Sequence, residues 1–76
     1  MKAYQVREFN FVCLSKIDVV KKVIAIGLNT VTCEYTNREA VNYEIIDCKS
    51  GNIIVSFFDS NCIEIGSILI TETDLI

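Results

Sequence analysis

The chain of 76 residues contains no histidine. That removes the commonest general base, the Cys–His pair and the Ser–His–Asp triad. The ten acids, among them Glu34, Glu39, Glu44, Asp47, Asp59, Glu64, Glu72 and Asp74, are scattered, and no spacing sets two carboxylates up as an acid–base pair. They suit a solvated surface. The four cysteines, Cys13, Cys33, Cys48 and Cys62, lie far apart with no C-x-x-C. With no His to complete a zinc site, all four would have to converge in space. Small buried hydrophobes in a reducing compartment are the simpler expectation. Cys33 falls on a predicted core face, and Cys48, beside a turn, is expected to be the most exposed thiol. Gly27, Gly51 and Gly66 are too few and too dispersed for a phosphate loop. These residues imply no catalytic, metal or cofactor site, so the chain is expected not to be an enzyme.

The cations admit one further chemistry. Lys16, Lys21 and Lys22 are close in sequence, while Arg38 and Lys49 fall at predicted hairpin tips. Single-strand binders flank a sheet of stacking aromatics with such tip cations, and Phe58 is the aromatic that could serve. Arg38, Lys49 and Phe58 therefore define an alternative, a single-stranded nucleic-acid-binding module. The net charge of −3 weighs against it, because avid phosphate binding needs many Lys and Arg.

Hydrophobic residues make up 51% of the chain and charged residues 22%. A single domain of this size, residues 1–76, buries only roughly 60–65% of its unfolded surface, so its core is thin. The surplus apolar surface points to burial against another chain: a protein partner or a homo-oligomer. The N-terminal MKAYQVREFNF has no apolar stretch behind its basic residue, and the longest apolar runs are short. Neither a signal peptide nor a membrane span is expected, and the expected location is cytoplasmic, the host cytoplasm if the protein is viral.

The elements that must carry these residues are mostly strands. Val41 to Phe58 reads as a β-hairpin, because β-branched and aromatic residues flank Cys48-Lys49-Ser50-Gly51-Asn52. A three-residue loop with Gly51 as a left-handed G1 bulge pairs Cys48 with Asn52, Ile46 with Ile54, Ile45 with Val55 and Tyr43 with Phe57. One face then holds Val41, Tyr43, Ile45, Ile53, Val55 and Phe57, the expected core face. The opposite face keeps an apolar spot at Ile46, Ile54 and Phe58, the expected partner-binding residues. Upstream, Val31, Cys33 and Tyr35 alternate with polar residues. A three-residue turn at Asn37-Arg38-Glu39 sets Tyr35 opposite Val41 and Cys33 opposite Tyr43, which extends the hairpin to a meander from Thr30.

Strands also suit Tyr4 to Leu14, as one or two pieces, with Phe9, Phe11 and Cys13 on one face. They suit Ile63 to Ile70, with Gly66 as a corner. Residues 15–27 are ambiguous. Ser15-Lys16-Ile17-Asp18 resembles a helix N-cap, Ile17, Val20 and Ile24 would share a helical face, and Gly27 could end the helix. The β-branched density of Val19 to Ile24 tips the expectation to strand from Val20 to Ile26. The expected fold is all-β, with room for one short helix near residues 15–22. It is a small antiparallel meander closed into a barrel or a compact two-layer sheet.

Val20 to Ile70, with a Gly-interrupted first strand, a hairpin and Ile-Gly-Ser-Ile-Leu-Ile as closing strand, resembles the core of an OB-type barrel. Gly51 to Phe57 with Ile63-Glu64-Ile65-Gly66 is also similar to the subunit of the ring-forming tryptophan-responsive RNA-attenuation proteins. Glu64 stands where that family uses a basic residue toward RNA. The expected function is a small non-enzymatic binding protein that occupies a partner protein's surface, such as a phage or mobile-element inhibitor of a host defence system. An oligomer sequestering a small ligand between subunits is a further alternative.

Overall fold

The computed structural model describes residues 2–6, 9, 11–30, 32–33 and 38–74. Among the described residues, seven strands and one helix occur in the order β1 (Lys2–Val6), β2 (Phe11–Cys13), α1 (Lys16–Thr30), β3 (Thr32–Cys33), β4 (Arg38–Glu39), β5 (Asn42–Asp47), β6 (Ile53–Phe58) and β7 (Glu64–Asp74). Five strands form an antiparallel sheet of order β2-β1-β7-β6-β5, and β3 and β4 form a separate two-stranded piece. The sheet is open, with β2 and β5 at its edges. The two-layer alternative is therefore the right one, and barrel closure is not realised.

The β5–β6 hairpin has the predicted register, with Ile46 opposite Ile54, Ile45 opposite Val55 and Tyr43 opposite Phe57. Its turn closes through the Cys48 amide to the Asn52 carbonyl at 2.9 Å and the Gly51 amide to the Cys48 carbonyl at 3.0 Å. Gly51 has φ of 88°, the left-handed conformation that the G1 bulge demands and that glycine adopts without Cβ strain. On the next flank, Ile54 pairs with Leu69 and Val55 with Ile68, and a bulge at Phe57/Phe58 absorbs one residue of β7. β7 also pairs with β1, from Lys2 opposite Asp74 to Gln5 opposite Thr71, so the first and last strands lie side by side.

Residues 16–30 are helical, which corrects the strand expected at Val20 to Ile26. Ser15 does cap the helix: its Oγ accepts the Asp18 amide at 3.4 Å and its carbonyl accepts the Val19 amide at 3.1 Å. Val19 and Val23 are fully buried and Gly27 is buried one helical step further on. Val20, Ile24 and Leu28 pack beside them. This i, i+4 stripe outweighs the β-branched residues' weak helix propensity, since packing of a stripe stabilises a helix more than intrinsic preference does. Ile17, expected on the packed face, is 66% exposed. Gly27 is not a terminator either. A Cβ there would run into the Phe57 ring, so its absence lets the ring lie against the helix backbone.

The core lies between α1 and one face of the sheet. Val6, Ile53, Val55, Phe57, Ile68 and Ile70 are at most 1% exposed, each contributing on the order of 1.5–3 kcal/mol by burial. Phe9, Phe11 and Cys13 pack against this cluster, and Val12 and Leu14 are exposed. Two other expectations fail. Val41, Tyr43 and Ile45 share the helix-side face of the hairpin, yet all three are exposed, because β5 is an edge strand that the single helix only partly covers. The meander from Thr30 also fails. Residue 30 ends the helix, and Cys33 pairs with Arg38 and Thr32 with Glu39, so β3 never reaches β5. The Tyr35–Val41 pairing lies outside the described residues.

Candidate interaction surface

The side of the sheet away from α1 is built from the alternate residues of each strand. In β5 these are Asn42, Glu44 and Ile46, and in β6 Ile54, Ser56 and Phe58. In β7 they include Ser67, Leu69 and Thr71, and in β1 Ala3 and Gln5. Ile46, Ile54 and Leu69 are direct neighbours across three strands. They make one apolar row running inward from the β5 edge. Ile46 is 42% exposed and Leu69 47%, and Ile54 between them is half-buried. The exposed Glu44, Ser67 and Thr71 frame the row on the same face, an apolar centre with a polar rim, and Ser56 there is buried.

Of the predicted partner-binding residues, Ile46 and Ile54 are brought together and Phe58 is not. Phe58 shares their face, but it lies opposite Asn42 and Glu64, four residues or about 13 Å along β6 from Ile54. Leu69 takes the place in the row that Phe58 was expected to hold. The sign of it in the sequence is the run Ile68-Leu69-Ile70, whose central residue must point away from the core if its neighbours point in.

The residues of the nucleic-acid alternative are not gathered. Lys49 is exposed in the turn before β6, while Phe58 is half-buried at the far end of that strand. The Arg38 side chain lies outside the described residues. Among the described residues the thiols form no disulfide: Cys13 and Cys48 are half-buried and Cys62 is exposed. Among the described thiols the most exposed is therefore Cys62 rather than Cys48. The Cys33 side chain lies outside the described residues, and among the described residues no cluster of metal-ligating side chains forms.

Two shallow grooves border the helix. One of about 340 Å³ runs between α1 and β5, lined by Ile17, Val20, Ile45 and Ile53, with Lys16 and Asp47 at its end. Lys16 and Asp47 form an ion pair at 3.2 Å across that end. The other, of about 700 Å³, lies by Cys13, Leu14, Asp18 and Lys22, where the Lys22 ammonium stands 5.1 Å from the Phe11 ring.

A polar cluster closes the far end of the sheet. Lys2 donates to Glu72 at 2.9 Å and pairs with Asp74 at 3.0 Å. Tyr4 donates to the second Glu72 oxygen at 3.1 Å. The Glu72 amide is held by the Asn52 side chain at 3.0 Å. The Lys2 hydrogen bond, the largest effect, holds the Glu72 carboxyl below its ordinary range; burial opposes it, and the Tyr4 hydroxyl adds a further lowering smaller than that of burial. Glu72 and Asp74 raise Lys2. Burial, then the Glu72 hydrogen bond, raise Tyr4. This cluster is a set of mutual ion pairs that staples strands. Among the described residues no helix is long and apolar enough to cross a membrane. No family model, curated protein or solved structure matches the chain.

Proposed function

We propose that this chain is a non-enzymatic binding protein that occupies the surface of a partner protein through the helix-free face of its sheet. The row Ile46–Ile54–Leu69 carries this reading. Two of its three side chains stay more than two-fifths exposed on a regular, hydrogen-bonded scaffold, where a small domain gains nothing from displaying them to water. Rigid strands hold the row in place without a partner, so binding would cost little ordering entropy. Small phage or mobile-element inhibitors of host defence systems belong to this class.

Leu69→Asp tests it, because Leu69 is already half exposed and its neighbours Ile68 and Ile70, not Leu69, fill the core. The circular dichroism spectrum should be unchanged. Wild-type chain immobilised in host lysate should enrich a partner protein by quantitative mass spectrometry, and Leu69→Asp should lose it at least about tenfold. Enrichment that survives Leu69→Asp, or no enrichment by the wild type, overturns the assignment.

A further inference from the structure

The β5 edge has its own chemistry. Because Cys48 bonds inward to Asn52 and the ladder to β6 is regular, the backbone groups of the even residues of β5 face β6. Those of Tyr43, Ile45 and Asp47 face outward. All six residues of β5 are exposed. Four of the nine large hydrophobics left exposed, Val41, Tyr43, Ile45 and Ile46, lie on this strand or its lead-in. Protected edges carry charged side chains, above all lysine, or proline or a bulge; β5 has no lysine or proline in its span, and its charges are Glu44 and Asp47 alone.

We propose that β5 pairs antiparallel with β5 of a second copy about a two-fold axis at Ile46, joining two five-stranded sheets into one of ten. Three neighbouring registers use the outward-facing groups. An axis at Glu44 sets two carboxylates directly opposite and is disfavoured. An axis at Ile45 requires the Tyr43 amide, which the Asn42 side chain already holds at 2.9 Å. An axis at Ile46 leaves that cap undisturbed and bonds Ile45 reciprocally with the partner's Asp47. It also brings Glu44 beside the partner's Cys48 and Lys49, so that opposite charges meet.

The consequences of this register agree with one another. Ile46 meets the partner's Ile46 at a non-hydrogen-bonded position, where side chains come closest, at about 4.5 Å between Cα atoms. The row Leu69–Ile54–Ile46 then continues through the axis into the same row of the second copy. On the helix side, the partner's Ile45 comes opposite Asp47, at the mouth of the groove lined by Ile17, Val20 and Ile53. An axis perpendicular to the sheet keeps both helices on one side, so the opposite face is one continuous surface of doubled length. The pairing uses the edge and not Leu69, so it stands or falls separately from the partner-binding reading.

Light scattering after size exclusion should give twice the chain mass at high micromolar concentration. Ile45→Pro removes an outward amide that no internal pair uses, and Ile46→Asp places two carboxylates on the axis. Each should raise the dimer dissociation constant at least about tenfold, while Leu69→Asp leaves it unchanged. Should Ile45→Pro unfold, Ile46→Asp decides alone, since its site is already exposed. In a Cys48→Ser, Cys62→Ser background, Ile46→Cys should form an intermolecular disulfide on mild oxidation, because about 4.5 Å between Cα atoms suits that bond, and Ile45→Cys should not. A monomer at every concentration, or a dimer indifferent to Ile46→Asp, overturns the pairing. Crosslinking by Ile45→Cys in place of Ile46→Cys overturns the register.

Discussion

Two turns of this sheet share one hydrogen-bond pattern and differ in the residue at its tight position. In the first, the Cys48 amide bonds the Asn52 carbonyl and the Gly51 amide the Cys48 carbonyl. In the second, the Asp59 amide bonds the Ile63 carbonyl at 3.0 Å and the Cys62 amide the Asp59 carbonyl at 3.1 Å. Gly51 and Cys62 are equivalent, with φ of 88° and 62°. A side chain in the left-handed region costs about 1–2 kcal/mol, so Cys62 carries a strain that Gly51 avoids. The buried Asp59 holds the second turn in place by accepting the Asn61 and Ile63 amides at 2.8 and 3.0 Å. Cys62→Gly should therefore raise stability by about 0.5–1 kcal/mol, a gain of several degrees in Tm, in a calorimetric scan. The reverse change, Gly51→Ala, should lower it, because a Cβ there also meets the Glu72 carboxylate. No shift in either melting point would remove the left-handed strain from the account.

At the scale of elements, what the sequence displayed and what it concealed divide by range. The β5–β6 hairpin was legible to the residue because Gly51 fixes the loop and alternation fixes the register locally. The helix was not, because Val19 to Ile24 show β-branched side chains that favour strand, while the stripe of Val19, Val23 and Gly27 has meaning only against the sheet. The candidate site was half legible for the same reason. Ile46 and Ile54 belong to one hairpin, whereas Leu69 joins them through a register that no nearby residue announces. Gly27 reads as a stop signal in one dimension and is a packing position in three. Gly27→Ala should gain about 1 kcal/mol of helix propensity and lose more, about 1–3 kcal/mol, by forcing the buried Phe57 ring aside. The net effect is destabilising by up to about 2 kcal/mol in urea titration. In a double-mutant cycle, Phe57→Leu should absorb most of that penalty, and full additivity would show that the clash is not the cause.

At the scale of the molecule, the chain closes on itself where its first and last strands meet, and Lys2 and Glu72, 70 residues apart, form the clasp. Glu72 is held below the ordinary carboxylate range by Lys2 and Tyr4. A carboxyl whose folded value is depressed contributes stability above its unfolded value, about pH 4.3. It loses that contribution as the pH falls through the folded value. Lys2 and Tyr4 are shifted upward. Their contributions are complete below their unfolded values, near pH 10, and are lost only as the pH rises through the higher folded values. The clasp is therefore intact from about pH 5 to pH 9 and opens first on the acid side. Glu72→Gln keeps an acceptor for Tyr4 but removes the charge that Lys2 pairs with. The variant should melt below the wild type at pH 7, and the gap should narrow toward pH 3 as the pH falls toward the depressed folded value of Glu72. A gap of equal size at both pH values would mean that Glu72 stabilises the β1–β7 seam by shape and hydrogen bonding alone, and not by its charge.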